Sequence, residues 1–454
     1  MPRLKSGDLA SNCSYGLVSS FVLLYLTGTL GLDSAIIGSL MLASKVLDGI
    51  SDVIFGTLID RTHSKLGKAR PWMLFGQVGV SLCLFLLFAI PAGSTTMQYI
   101  YFFIVYTALN AVFYTANGIA YSSLVALITK NNNERVQLGS FRFMFAVVTN
   151  IFMGFAVTGM VEKFGSGAAG WRTTALIFAI VGLVVNTISC LAVKELPEKE
   201  LSDNTSEAAE EGKAVAEEKK HGFAETAKIL VHNKYYLMIL AIYIVYYIMS
   251  NLTTGAGVFC ATYYWGDGSL LGQFSMMKMF PVIIALAIAP VLIKKTGSMQ
   301  KVNFWGYAIS SVLGIPMIYF AMQKNLSMFL LFMFIKGIFA GTLSGSLNAL
   351  IAEASGYTTR TTGIHMDGMM YSCSSLGVKV GGGIGTAAVG WLLKLGGFVG
   401  TATVQSESAI RMIFNLYITF PFVIGIIITV LLAFLDVEKA NKKWDAEHQK
   451  EAQA

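Results

Sequence analysis

The sequence predicts an all-α membrane protein in which twelve transmembrane helices form two bundles of six. Three observations lead there. Of the 454 residues, 55% are hydrophobic and only 13% charged, with a mean hydropathy of +0.63, whereas soluble domains carry about a quarter charged residues. Apolar runs long enough to cross a bilayer, about twenty residues each, recur along the whole chain. One long polar stretch divides those runs six and six. Length alone fits two or three soluble domains, but the shortage of charge rejects them.

The runs fall at roughly 11–32, 35–60, 71–92, 98–128, 140–163, 171–193, 236–263, 270–293, 303–322, 327–353, 367–393 and 410–436. Each is read as a helix, because a spanning segment must satisfy its own backbone hydrogen bonds. A barrel would need short alternating strands, and these runs are continuous. Residues 194–232, "KELPEKELSDNTSEAAEEGKAVAEEKKHGFAETAKILVH", have no apolar face of consequence and read as a solvated linker with some helical character. The expected organisation is a bundle over 1–193, a linker over 194–232, a bundle over 233–436 and a tail over 437–454. Equal halves suggest an internal repeat, common among secondary transporters. The loop "KKTGSMQK" (294–301) echoes the basic loop at 61–70, each following the second span of its half.

Basic residues gather on alternate loops. One side takes Arg3, Lys5, Arg61, Lys65, Lys68, Arg70, Lys130 and Arg135, and then the linker, Lys294, Lys295, Lys301, Arg360 and the tail. The other side has little beyond Lys163, Arg172, Lys324, Lys394 and Arg411. The positive-inside bias puts both termini in the cytoplasm of a multi-pass cell-membrane protein. The net charge of +7 therefore reports topology and gives no ground for a nucleic-acid partner. The N-terminus lacks a cleavage signal, so the first span is expected to be retained. Five cysteines, scattered singly through apolar segments, have neither metal-ligand nor redox spacing and read as small packing residues.

"LDGISDVIFGTLIDRTHSKLGKARPW" (47–72) places two acids inside an apolar helix. Asp48 and Asp52 are four apart, hence on one face with Cβ atoms about 6 Å from each other, and Lys45 lies on nearly the same stripe. An ionised carboxylate there costs on the order of several kcal/mol unless it faces a cavity, pairs, or binds a cation. For one acid a structural salt bridge would be the simpler reading. Two on one face favour ion or proton handling. Arg142, Lys278, Lys336, Asp367 and Lys379 are the other charges within spans. Arg142 and Lys379 are expected to face a cavity, and Lys278 and Lys336 are read equally well as snorkelling or pairing with neighbours. No ATP-hydrolysing loop or zinc-protease helix is present. "GIGTAA" (383–388) lacks the strand that a dinucleotide site needs. An enzyme is not expected, nor a cofactor beyond a coupling ion.

The same stretch, with "YTANGIAYSSL" (114–124), "ERVQLGSFRFMFA" (134–146) and "MDGMMYSCSSLGVKVGG" (366–382), resembles the glycoside–pentoside–hexuronide:cation symporters. This branch of the major facilitator superfamily includes the melibiose carrier. The resemblance covers essentially the whole chain and implies the major facilitator fold. It also implies that Asp48 and Asp52 are cation-site carboxylates, that Thr115 is a hydroxyl ligand, and that Ser51 stands where the family has an asparagine. Lys379 corresponds to the coupling lysine near those acids, and Arg142 to an arginine of the sugar pocket. The pocket acids of the melibiose carrier fall on Asn12 and Gly118, and its stacking tryptophans fall near Ser122 and Ser344. Asn117 joins the implied pocket set. Oxygen ligands suit a sodium ion, and the same carboxylates can carry protons.

The departures argue against a galactoside, and a pocket more basic than the melibiose carrier's points toward an acidic sugar. The expected function is cation-coupled symport, with Na+ or H+, of a sugar, glycoside or hexuronide by alternating access, each ligand favouring the same occluded state. A functional monomer in the lipid bilayer is expected. A carrier of a non-sugar metabolite or a lipid on the same fold is the alternative. A channel or receptor would need no paired acids. The topology has its own test. A cysteine introduced within 194–232 should resist impermeant thiol reagents applied to intact cells, and one near Gly268 should react; labelling of the linker from outside overturns the orientation.

Overall fold

The structure, a computed structural model, describes residues 7–129, 132–193, 195, 229–364, 367–402 and 404–451. Most of the 194–232 linker therefore lies outside the described residues. Twelve long helical stretches follow the expected order: α1 (Gly7–Leu24, continued by a π turn Tyr25–Thr29), α2 (Ser34–Asp60), α3 (Arg70–Leu87), α4 (95–128), α5 (Asn132–Lys163), α6 (Gly167–Leu191), α7 (234–264), α8 (Leu270–Thr296), α9 (Met299–Met322), α10 (Leu326–Thr362), α11 (367–395) and α12 (407–434). Ten of these stretches are apolar and long enough to cross a membrane by composition alone. Helix α2 is not among them, and Lys45, Asp48, Asp52 and Asp60 account for its lower hydropathy. All five cysteines are buried and outside disulfides.

The chain folds as two compact units. Unit 1 comprises 1–220 with 257–273 and 387–410, and unit 2 comprises 221–256, 274–386 and 411–454. In unit 1 the start of α2 meets the end of α11 across glycine. A Cβ on Gly38 would stand 2.7 Å from the Ala387 carbonyl oxygen, and Ser34 Oγ donates to the Gly390 carbonyl at 2.9 Å. Asp33 caps α2 by accepting from the N–H groups of Ala35 and Ile36 and pairs with Lys394 at 2.6 Å. Partial burial alone would raise its carboxyl. Lys394 and the two backbone donors outweigh that and hold it below the usual carboxylate range.

In unit 2, α8 and α10 approach along Gly337, Gly341 and Gly345, spaced four apart on one face. A Cβ on Gly337 would lie 2.8 Å from Pro281 Cβ, and one on Gly341 would lie 2.7 Å from Ala285 Cβ. Small residues at this spacing let membrane helices pack backbone to backbone.

Each half closes on a glutamate, half-buried in the first and buried in the second. The carboxylate of Glu195, just past α6, accepts from the N–H groups of Lys68, Ala69 and Arg70 at 2.6, 2.9 and 3.0 Å, at the start of α3. Gly67 beside it has φ +106°, and any Cβ there would strike that carboxylate. In the second half Glu438, just past α12, accepts from Met299 and Gln300 N–H at 2.8 and 3.0 Å and from Ser298 Oγ, at the start of α9. A second contact repeats as well. Arg70 Nε donates to the Cys190 carbonyl and Gln300 Nε2 to the Leu432 carbonyl, both at 3.1 Å. Helix N-termini leave unpaired N–H groups that carboxylates satisfy. The repeat that the basic loops suggested is thus built into equivalent hydrogen bonds.

The expected tail is a helix of its own, α13 (Val437–Glu451). Helix α10 has 37 residues, about 55 Å at 1.5 Å per residue, so it outruns a hydrocarbon core of about 30 Å. Its end offers Arg360, which bonds Asn441 Oδ1 at 3.0 Å and pairs with Asp445 at 3.4 Å, and the Glu353 carbonyl, which accepts from Asn441 Nδ2. Removing either closing glutamate strands buried N–H groups at about 1–3 kcal/mol each. Glu195→Ala and Glu438→Ala should therefore each lower the melting temperature of the purified protein by several degrees. Glu447→Ala, in the exposed pair with Lys443, should leave it unchanged; equal effects at all three sites would contradict the closure.

Candidate functional site

The acidic site is built from α2 and α4. Asp48 is 9% exposed. Its Oδ1 accepts from Thr115 Oγ1 at 2.7 Å, and its Oδ2 takes Lys45 Nζ at 3.4 Å. Ser51 Oγ donates to the Asp48 carbonyl at 2.9 Å. Asp52 lies one turn further along α2, half-buried. The structure thus joins Asp48, Thr115 and Ser51, and adds Lys45 as an ion-pair partner.

A π segment sets the position of Thr115. In α4, residues Ala108–Tyr114 are wound as a π-helix and α-helix resumes at Thr115. The wider turn brings the Asn110 carbonyl within 3.0 Å of Thr115 Oγ1, so one hydroxyl spans helix backbone and carboxylate. Lys379 also lies in a π segment, Gly377–Gly381 within α11. Such segments recur at functional positions because they turn one side chain out of α-helical register. Lys379 belongs to unit 2, as the acids belong to unit 1.

The expected sugar-pocket residues are distributed over both units, Ser344 in unit 2 and the others in unit 1. A Cβ on Gly118 would meet nothing within 4 Å, and the exposed Ser122, one turn on, donates to the Gly118 carbonyl at 2.9 Å. Open space therefore lies beside that stretch of α4. Asn12 is half-buried on α1. Asn117 is 2% exposed, and its Nδ2 donates to Gln77 Oε1 at 2.9 Å. Its side chain is a packing contact between α3 and α4 and does not share the space beside Gly118. Arg142 falls on α5, with its side chain outside the described residues, as does that of Asp367 on α11.

Ser344 lines a cavity of about 170 Å³ within unit 2. Its hydroxyl meets Tyr246 OH at 2.7 Å. Lys278 and Lys336 line the same cavity with Tyr307 and Thr253, and Lys278 Nζ donates to Thr253 and Thr254 hydroxyls at 3.0 and 3.3 Å. The tyrosines escaped the sequence reading. Tyrosine is ordinary in apolar spans, and only the two lysines at similar depth signalled the place.

Among the described residues no group of three or more His, Cys, Asp or Glu side chains gathers as a metal centre. What α2 and α4 assemble suits a monovalent ion or a proton. Lys45 offsets the charge of Asp48.

The family model described as MFS/sugar transport protein matches residues 4–439. The chain is 26% identical over 451 residues to an isoprimeverose transporter of Lactiplantibacillus pentosus, covering 98% of this chain and 90% of the relative. It is 23% identical over 438 residues to a putative glycoside/cation symporter of Escherichia coli (strain K12), covering 96% and 91%. Among solved structures, a D-xylose–proton symporter superposes with a TM-score of 0.65 at 12% identity, covering 96% of both chains, a likeness of fold alone. A match over nearly the full length settles class and membership: the protein is a multi-pass membrane transporter, and it belongs to the MFS/sugar transport family.

Proposed function

We infer that the chain takes up a sugar or glycoside together with Na+ or H+ by alternating access, as a monomer. The halves 1–193 and 233–436 act as the moving bundles, and both termini lie in the cytoplasm. Asp48, Asp52, Thr115 and Ser51 form the cation site, and Lys379 is the coupling residue. The observation that carries this reading is the meeting of Thr115 Oγ1 with Asp48 Oδ1 at 2.7 Å. It concentrates oxygen donors of two helices at one buried point. The names of the relatives, an isoprimeverose transporter and a putative glycoside/cation symporter, support the solute class and the coupling. Lys45 holds the second oxygen of Asp48, and Asp52, one turn on, adds a second carboxylate on the same helix.

Uptake of labelled sugars with and without a sodium or proton gradient tests the whole reading. Neutralising either acid should abolish uphill accumulation while exchange survives, since exchange needs only the solute pocket. Accumulation against the gradient by Asp52→Asn ends the cation-site assignment. Thr115→Val removes one oxygen and should raise the half-saturating cation concentration about tenfold, equivalent to about 1.4 kcal/mol. Thr115→Ser keeps the hydroxyl and should stay near the parent value. Equal behaviour of the two variants removes Thr115 from the site.

A further inference from the structure

The unit 2 cavity holds more positive charge than its surroundings answer. Lys278 lies eight residues into α8 and Lys336 ten residues into α10, about 12 and 15 Å along their helices. Both side chains line the cavity within the unit. Among the described residues neither has a carboxylate within 4.0 Å. Lys278 has two threonine hydroxyls, but these are neutral, and Thr253 already donates its proton to carbonyls of its own helix. The glycine seam between α8 and α10 brings these two helices close, Gly337 being the neighbour of Lys336 and Pro281 lying one turn past Lys278.

A third group points the same way. Tyr307, on α9, is 2% exposed and lines the cavity, and its hydroxyl has no hydrogen-bond partner. A buried hydroxyl without a partner is costly. Two ammonium groups and a phenol make a set dominated by donors. What such a set lacks is an acceptor carrying negative charge. The cavity, at about 170 Å³, is small against the 300–1,000 Å³ of ordinary ligand pockets, so it suits a compact anionic head.

We propose that this cavity is an oxyanion-binding subsite of the carboxylate class, in which Lys278, Lys336 and Tyr307 hold the charged oxygens. Ser344 and Tyr246 supply neutral hydroxyl contacts at its wall. The oxyanion is either the acid group of the transported solute, which rests on the reading of the chain as a sugar carrier, or a free small anion.

Thermal shift of the purified protein with D-glucuronate, D-glucose, acetate and phosphate, at matched ionic strength, separates these sources. Stabilisation by glucuronate but not by acetate or phosphate assigns the subsite to the solute's acid group. Stabilisation by the simple anions as well makes it a site for the anion itself. Either response should weaken at least about tenfold in Lys336→Gln, as expected for one lost charge-assisted hydrogen bond, and should persist in Lys163→Gln, an exposed lysine at the end of α5. Tyr307→Phe removes a single oxygen and guards against misfolding of the lysine variant; it should weaken the response severalfold. No stabilisation by any anion, or stabilisation unchanged in both Lys336→Gln and Tyr307→Phe, overturns the proposal. Failure of sugar uptake would sink the sugar-carrier reading and leave these binding results standing.

Discussion

Water is scarce in the middle of a bilayer, and a polar atom placed there must find its partner within the protein. Much of the architecture follows from that one constraint. Hydroxyls inside the spans bond to carbonyls one turn back on their own helices, as Thr253, Ser346 and Thr386 do. The carboxylate of Asp48 is satisfied on both oxygens, by Thr115 and Lys45. The helix starts that must be buried, those of α3 and α9, receive a glutamate apiece. The constraint is not met everywhere: among the described residues the Tyr307 hydroxyl and both polar atoms of the Asn303 side chain are buried without a hydrogen-bond partner.

Close packing meets the same demand by other means. Apolar side chains gain nothing over lipid by touching one another, so helices are held by backbone approach and by polar contacts. The seam of Gly337, Gly341 and Gly345 is of that kind, as is the meeting of Gly38 with Ala387. The π segments work in the opposite direction. They open the backbone locally, free a carbonyl, and re-aim the residue that follows or lies within.

How much of this was legible beforehand depends on what hydropathy can report. A run of twenty apolar residues is decisive, so the spans and their order stand near where the sequence placed them. Asp48 and Asp52 were visible for the complementary reason, as charges standing out against such a run. Hydropathy measures depth but not azimuth, however. Asn117 and Gly118 are adjacent and equally deep, yet one is packed between helices and the other borders open space. Nor could pattern alone decide whether Lys278 and Lys336 reach for the interface. That depends on which helices the glycine seam draws together. The π turns leave no compositional trace, because a tertiary neighbour selects them. The docking of α13 uses Glu438, Asn441, Lys442 and Asp445, polar residues of a charged segment that reads as solvated.

The paired glutamate closures bear on how the chain can be divided. Glu195 and the start of α3 both belong to the first half of the sequence, and Glu438 and the start of α9 to the second. Neither closure crosses the central linker. Two polypeptides made from a gene cut in that linker beyond Glu195 would each carry a complete set of donors and acceptors for the start of its third helix. Of the segment that joins the halves, Glu195 at its very start is the residue that takes part in these bonds.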